Sequence, residues 1–492
     1  MKLARRGLGA WALPVLFLFP LSASGTDTED LLFESLAGRW LERHSVTAEH
    51  RGGWSALLEE RFAHLAVGLF DVRIPCASLG DPEGVKNGAR AVQALLEAQS
   101  GWLAWARGET QVRGEKKAGE KKPKDDPLAR WLDTWSPKTF AGAPTAGAEL
   151  SELPGVPAAA RSVLTELRSE LRKGGALGFA REVPGVRLVL FPERAEFVEF
   201  VCVAGMLDPR LKASAHDQGL TTWLEYQAQD ARFLCLEYGS GTDGRPLERG
   251  EGVADRNPVA LAELVAQVGT RSLLARLYGA ALDPALASGM ANALVIDLYG
   301  ELDTRIDGDV RSRSTEGRSV FVPGGNPDGG VLPASSAENR WRGTKGRDHF
   351  VGVLAQVQKS SGKKAPTRPE RLTRFELHSD DGARKEIVSA PFLGPKAEKP
   401  ASDLLADYLE LVRCYGVAFL HWLRQEGAGE APASAQRFAE LLRSLARGAK
   451  AEELPRLLES LYGRPLSAAS PDELFAGNTL EGSFLAWLAK QG

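Results

Sequence analysis

Histidine is the residue type that most directly indicates metal or acid–base chemistry, and this chain contains seven of them. They are His44, His50, His64, His216, His349, His378 and His421. No two of them are three or four residues apart, so no helix presents two imidazoles on one face, as a paired-histidine zinc site requires. The spacing of the histidines therefore predicts no such metal site.

The segment GSGTDG, residues 239–244, matches the glycine pattern of a dinucleotide-binding loop. In that loop the third glycine opens a helix whose N-terminus faces the pyrophosphate of the cofactor. The residues that follow, RPLERGEGVADRNP, are polar and lack the periodic apolar positions of a helix. We therefore predict an exposed loop or hairpin here, and no nucleotide cofactor.

The segment LVAQVGTRSLL, residues 264–274, has the apolar spacing of a buried helix, with polar residues along one side. Glu263, Gln267 and Arg271 are four residues apart, so they form one stripe along that helix. Gln267, Val268 and Arg271 occupy the places that the first histidine, the glutamate and the second histidine have in a His-Glu-x-x-His zinc helix. By itself, the stripe is better explained as the polar face of an ordinary core helix.

The elements predicted between residues 186 and 301 follow the order strand, helix, strand pair, helix, helix. With the motifs VLFPERAEFVEF, VAQVGTRSLL, PALASGMA and YGVAFLHWL, this order resembles the gluzincin metallopeptidases. More narrowly, it resembles the peptidase-MA-like family of exported bacterial proteins of unknown function. In that family the first long helix carries a pattern like V-A-H-E-G-T-H-x-L-L, and the next begins like P-W-L-x-E-G-L-A. The resemblance covers about residues 186–301 and extends more weakly to the C-terminus.

The resemblance implies a zinc site whose four key positions are all replaced in this chain. These positions are Gln267, Val268, Arg271 and, at the place of the third ligand, Ser288. An amide, a guanidinium and a neutral hydroxyl are poor zinc ligands, and valine cannot accept a proton from a zinc-bound water. We therefore predict that the chain binds no metal, needs no cofactor and has lost peptidase activity.

Arg271 suggests a structural replacement for the zinc ion. If its helix lies where the zinc helix lies in the family, Gln267 and Arg271 project together toward Ser288. A buried guanidinium needs a carboxylate or several carbonyl oxygens around it. The candidate charge partners are Glu263, one turn before Gln267, and Asp297 or Glu301 on or after the next helix.

The N-terminal residues MKLARRGLGAWALPVLFLFPLSASG have the basic start, apolar stretch and small-residue end of a signal peptide. We expect cleavage near Ser24 or Gly25, and export to the periplasm or the exterior of a bacterial cell. The apolar stretch is short and interrupted by proline, so no membrane span is expected after cleavage. A formal net charge of −3 with mixed charges lacks the basic footprint of a nucleic-acid-binding protein.

The four cysteines, Cys76, Cys202, Cys235 and Cys414, are far apart in the sequence and form no C-x-x-C motif. This spacing excludes a zinc ribbon and thioredoxin-like chemistry. In an oxidising compartment one or two disulfides would be compatible with the sequence, and four buried thiols are the other alternative.

The chain has 492 residues, which is more than one hydrophobic core normally accommodates. We predict an α+β fold in which a gluzincin-like core, a small sheet plus two long helices of the active-site type, lies between helical N- and C-terminal regions. The predicted segments are a signal peptide (1–24), an N-terminal helical region (25–112), a charged linker (113–127), a helical or loop connector (128–182), the gluzincin-like core (183–350), an exposed loop (351–371) and a C-terminal helical region (372–492).

These observations predict an exported, catalytically inactive metallopeptidase-like protein that binds a peptide or protein or has a structural role. Two alternatives remain open. One is a hydrolase that acts through an unrecognised site, and the other is a helical scaffold protein without protease ancestry. The sequence does not indicate the partner or the oligomeric state.

Overall fold

The described residues form a mixed α+β structure, which confirms the α+β part of the predicted fold. The computed structural model describes residues 25–46, 53–110, 127–140, 148–153, 155–175, 177–179, 183, 185–207, 224–228, 231–236, 258–278, 282, 284–302, 345–346, 351–352, 415–450, 453–466 and 478–491. The predicted signal peptide lies outside these residues, as do nearly all of the predicted linker at 113–127 and exposed loop at 351–371.

Six strands form one mixed sheet in the order β3-β1-β2-β4-β6-β5. Strands β2, β4 and β6 run parallel to one another, β1 pairs with β2 as an antiparallel hairpin, and β5 is an antiparallel edge strand. The strands are β1 (Phe62–Val67), β2 (Phe70–Pro75), β3 (Ala148–Glu149), β4 (Val186–Phe191), β5 (Leu224–Ala228) and β6 (Ala231–Cys235), and a separate pair joins β7 (Glu301–Leu302) to β8 (Lys345–Gly346).

Helices cover both faces of this sheet. They are α1 (Gly25–Arg43), α2 (Gly53–Arg61), α3 (Pro82–Ala106), α4 (Pro127–Leu132), α5 (Pro137–Phe140), α6 (Ala158–Lys173), α7 (Arg194–Leu207), α8 (Pro258–Tyr278), α9 (Pro284–Tyr299), α10 (415–425), α11 (Ala431–Ala446), α12 (Leu454–Tyr462) and α13 (Leu480–Leu488). Along β4, Leu188 and Leu190 join a core cluster with α3, α8 and α9, whereas Val189 and Phe191 join a second cluster with α1, α2 and α7. Since successive side chains of a strand point to opposite faces, the two clusters lie on opposite sides of the sheet.

The expectation of helices throughout residues 25–112 is wrong for the hairpin β1–β2. Its turn contains Gly68, at a φ of 62°, and the buried side chain of Gln99 satisfies the backbone around it. Gln99 Oε1 accepts a hydrogen bond from Leu69 N at 2.7 Å, and Gln99 Nε2 donates to Val67 O at 3.1 Å. Because helices bury both faces of these strands, their apolar residues do not alternate cleanly, and the spacing resembles that of a helix.

The elements predicted around the candidate site are confirmed. Residues 186–191 form β4, the predicted strand pair forms β5 and β6, and the two long helical runs form α8 and α9. Helix α8 packs closely on α3 at Gly269, which has no side chain. A Cβ built at this position would lie only 2.6 Å from Leu95 Cδ2. Helix α8 contacts both α3 and α9. Its residue Gln267 faces α9.

Candidate functional site

Gln267 lies in a filled contact between α8 and α9, and Val268, the next residue of α8, is buried in the main apolar core. The Gln267 side chain is 1% exposed, and its Nε2 donates a hydrogen bond to Asn292 Oδ1, on a side chain that is 2% exposed. Val268 is 2% exposed and belongs to the main apolar cluster. These two positions are therefore packed against protein and do not border an open cleft.

The other predicted residues lie on the same two helices or just beyond them. Arg271 is half-buried on α8, and Glu263, two turns earlier on the same stripe, is fully buried. Ser288 lies in the first turns of α9 and Glu301 in β7, but their side chains are outside the described residues. Asp297 lies near the end of α9 and is buried.

Gln267 and Val268, two of the predicted site residues, do not fit a zinc ion. The amide of Gln267 is engaged with Asn292, and the side chain of Val268 supplies only apolar surface. Within the part of the chain that the structure describes, no group of three or more His, Cys, Asp or Glu side chains is arranged to hold a metal ion. No catalytic step through zinc follows from this arrangement.

Asp297 forms a buried ion pair with Arg424 of α10, a partner that the sequence did not indicate. Asp297 Oδ2 lies 2.5 Å from Arg424 Nη1, and it also accepts a hydrogen bond from Trp105 Nε1 of α3 at 3.1 Å. The Arg424 guanidinium lies over the Trp105 ring, 4.8 Å from its centroid, which is a favourable cation–π distance. The three side chains join α3, α9 and α10 at one point.

A pocket opens beside this ion pair. It leaves room for about one water molecule, because the side chains that line it are buried against one another. Its apolar walls come from α9 and α10, and Arg424, Asp297 and Trp105 border it on the polar side, with His421 also in the lining. A space of this size can hold a water that bridges the polar groups, and it is far smaller than a ligand pocket.

A second polar contact joins α9 to α3. Tyr299 donates a hydrogen bond from its hydroxyl to Glu97 Oε2 at 2.8 Å. Burial raises the pKa of Tyr299 well above its usual value, and the nearby carboxylates of Glu97 and Glu263 raise it further. The Tyr299 hydroxyl therefore remains protonated and acts as a hydrogen-bond donor.

A buried carboxylate lies at the edge of the sheet where the parallel strands end. Glu196, in the first turn of α7, accepts a hydrogen bond from Ser78 Oγ at 2.7 Å, and its other oxygen lies 3.0 Å from His44 Nε2. All three side chains are buried, so the Ser78 hydroxyl is not presented to a substrate. The group ties α1 to α7 and to the segment that follows β2.

Cys76, beside this group, is exposed and carries a free thiol, so the alternative of four buried thiols is wrong at this position. Cys202 is free and buried, and the side chains of the other two cysteines are outside the described residues. Partial burial raises the pKa of the Cys76 thiol, and the Glu196 carboxylate raises it further. A protonated thiol is a weak nucleophile, so this site lacks an activated cysteine.

Comparisons with protein-family models, with curated proteins and with solved structures find no match to this chain. Among the described residues, no helix combines the length and apolar character needed to cross a lipid bilayer.

Proposed function

We propose that this chain is an exported metallopeptidase-like protein that has replaced its zinc site with a helix–helix contact and binds a peptide or protein without cleaving it. The contact between Gln267 and Asn292 carries this proposal. It joins α8, which we align with the zinc helix of the family, to α9. In a peptidase, the ligands at this place would face an open cleft.

The burial of Val268 supports the loss of catalysis. A general base must reach the water or substrate from which it removes a proton, whereas the Val268 side chain is almost fully buried among apolar groups.

The test uses protein purified without chelators. We expect metal analysis to give far less than one zinc per chain, and mass spectrometry of a mixed peptide library to show peptides retained on the protein but not cleaved. A zinc content near one per chain, or cleavage that follows the protein through purification, would contradict the proposal. A library that is neither retained nor cleaved would contradict the binding role.

A designed variant tests the ancestry of the site separately. Gln267→His, Val268→Glu, Arg271→His and Ser288→Glu together restore the ligand and base types of the family pattern. If the helices are related to those of gluzincins, the folded variant should bind zinc while the wild type does not. A matched control carries only Val268→Glu and should remain metal-free. A folded four-site variant without zinc affinity would remove the support for this ancestry.

Export is tested by intact-mass measurement. Protein recovered from the periplasm should lack the residues before about Ser24 or Gly25. A retained Met1 on a membrane-bound chain would contradict cleavage of a signal peptide.

A further inference from the structure

Four large apolar side chains are exposed in the described part of the chain, and three of them lie on α1 and α7. Leu31 of α1 is 54% exposed, and Met206 and Leu207, at the end of α7, are 44% and 42% exposed. The fourth, Val163, lies on α6. Single exposed apolar residues are ordinary on a protein surface, whereas a group of them marks a contact surface.

Helices α1 and α7 pack against each other in opposite directions. The ring centroids of Trp40 and Phe200 lie 5.0 Å apart. Further along α1, His44 Nε2 lies 3.0 Å from Oε1 of Glu196, which is earlier on α7. Residue numbers along α1 therefore rise as those along α7 fall, so the start of α1 lies beside the end of α7.

This register brings the three exposed side chains to one end of the helix pair. Counted back from Trp40, Leu31 comes level with the end of α7, where Met206 and Leu207 are the last two residues. We refer to Leu31, Met206 and Leu207 as the α1–α7 patch. Apolar surface of this kind gains free energy when other apolar surface covers it.

Two segments outside the described residues join the helices at this end, and they differ in chemistry. Residues 208–223 follow α7 and begin DPRLKASAHDQ, which is charged and polar. Residues 1–24, the predicted signal peptide, precede α1 and contain LGAWALPVLFLFPL at 8–21, which has no charged residue. Of these two segments, only residues 8–21 have the apolar composition that suits the patch.

The length of the connection allows residues 8–21 to reach the patch. From residue 21 to Gly25, where α1 begins, the chain spans at most roughly 13 Å. From Gly25 to Leu31 the helix rises by roughly 9 Å. The connecting residues SASG are small, so a reversal of the chain meets little steric resistance.

We propose that residues 8–21 pack on the α1–α7 patch in the uncleaved chain, and that removal of residues 1–24 uncovers the patch. The contact removes both apolar surfaces from water. It is intramolecular, so the effective concentration of the segment at the patch is high. The first part concerns the uncleaved chain alone, and the second part rests on the cleavage of the signal peptide in the proposed function.

The test measures the exposure of Met206 by its oxidation with dilute hydrogen peroxide, followed by mass spectrometry of peptides. Oxidation of methionine to the sulfoxide requires access of the oxidant, and Met290, which is fully buried in α9, is an internal reference for the fold. The full chain, purified without detergent, is compared before and after removal of its leader by signal peptidase. We expect Met206 to oxidise about tenfold more slowly before removal, as for a docked state populated about nine-tenths of the time.

Variants of the full chain locate the contact. Leu31→Asp places a charge in the patch, and Leu18→Asp places one in the segment that covers it, so each should raise the oxidation rate of Met206 to that of the cleaved chain. Val163→Asp is the matched control, because Val163 is 50% exposed on another helix, and it should leave the rate unchanged. Slow oxidation of Met290 shows that each variant remains folded.

Equal oxidation of Met206 before and after removal of the leader would overturn the proposal. Protection that increases with protein concentration would overturn it in favour of a second copy, and protection that appears only with added phosphatidylcholine vesicles would overturn it in favour of a lipid surface. The failure of this contact is distinguishable from the failure of the proposed function. Periplasmic protein that retains Met1 contradicts the cleavage, whereas the oxidation of Met206 in the full chain tests the contact whatever the export experiment shows.

Discussion

Asp297 and Arg424 form a buried ion pair on two helices that also approach each other closely at Gly289 and Gly416. A Cβ on Gly289 would lie 3.2 Å from Gly416 Cα, and Asp297 Oδ2 lies 2.5 Å from Arg424 Nη1. Asp297 follows Gly289 on α9 by the same number of residues as Arg424 follows Gly416 on α10. The two helices therefore run parallel in this contact, with a fixed register. This pairing joins α10 to α9, the helix that carries Ser288.

We expect Arg424→Ala to destabilise the fold by about 3–5 kcal/mol, because it leaves the Asp297 carboxylate buried without its cation. The paired replacement Arg424→Met with Asp297→Leu should cost much less, since neither charge then remains unpaired. The measurement is urea unfolding of the wild type, of Arg424→Ala and of the double variant. Equal losses for Arg424→Ala and the double variant would show that the charge pairing is not what matters.

The contact between Gln267 and Asn292 makes a similar prediction for a neutral pair. Gln267→Leu should destabilise the fold by about 1–3 kcal/mol, because the buried Asn292 side chain loses its hydrogen-bond partner. Adding Asn292→Leu should recover part of that loss, because the Asn292 amide that lost its partner is then removed as well. Chemical denaturation of the three variants checks this order. A single variant as stable as the wild type would mean that Asn292 finds another partner.

The local elements of the site could be predicted from the sequence, whereas its partners could not. The apolar spacing in residues 258–278 and 284–299 is a local property, and both helices form as expected. The pairing of Asp297 with Arg424 joins residues far apart in the sequence, and no periodicity encodes it. The hairpin β1–β2 was missed for a related reason, since its strands are buried on both faces and depend on Gln99 of α3 to satisfy their turn.

Asp71, on β2, makes a prediction about pH. Burial alone would raise its pKa, but hydrogen bonds with His64 and Arg73 and the charges of those residues outweigh that effect and lower the pKa from 3.8 to about 2. A carboxyl group with a depressed pKa in the folded state stabilises the fold above its unfolded pKa, and that stability is lost as the pH falls through the folded value.

Between about pH 4 and pH 2, we therefore expect Asp71→Asn to show a shallower loss of stability than the wild type. At pH 7 the variant should be the less stable of the two, because Arg73 is almost fully buried and loses one of its carboxylate partners. Urea midpoints measured across this pH range provide the test. Parallel pH profiles would show that the Asp71 carboxyl has the same pKa in the folded and unfolded states.

Gly269 makes a steric prediction for the contact between α8 and α3. A Cβ at this position would lie 2.6 Å from Leu95 Cδ2, so Gly269→Ala should cost about 1–3 kcal/mol through overpacking, although alanine favours a helix. Leu95→Ala makes room for the added methyl group, so its own cost should be smaller in the Gly269→Ala background than in the wild type. A double-mutant cycle measures this coupling. Additive effects would mean that the helices shift apart without strain.

Arg271 makes the prediction that most directly separates a degenerate zinc helix from an ordinary core helix. It lies half-buried on the same stripe as the fully buried Glu263 and Gln267. If the guanidinium ties α8 to its neighbours in place of a metal, Arg271→Ala should lower the stability of the fold by about 1–3 kcal/mol. This is less than the roughly 3–5 kcal/mol for breaking a fully buried pair, because partial exposure screens the charge.

The matched control for this prediction is Arg276→Ala, on an exposed position of the same helix. An exposed arginine contributes little to stability, so this variant should melt within about a degree or two of the wild type. Arg271→Lys separates charge from geometry, because it keeps the cation but loses the planar array of donors. If Arg271→Ala and Arg276→Ala melt at the same temperature, Arg271 is an ordinary surface arginine and does not replace a metal.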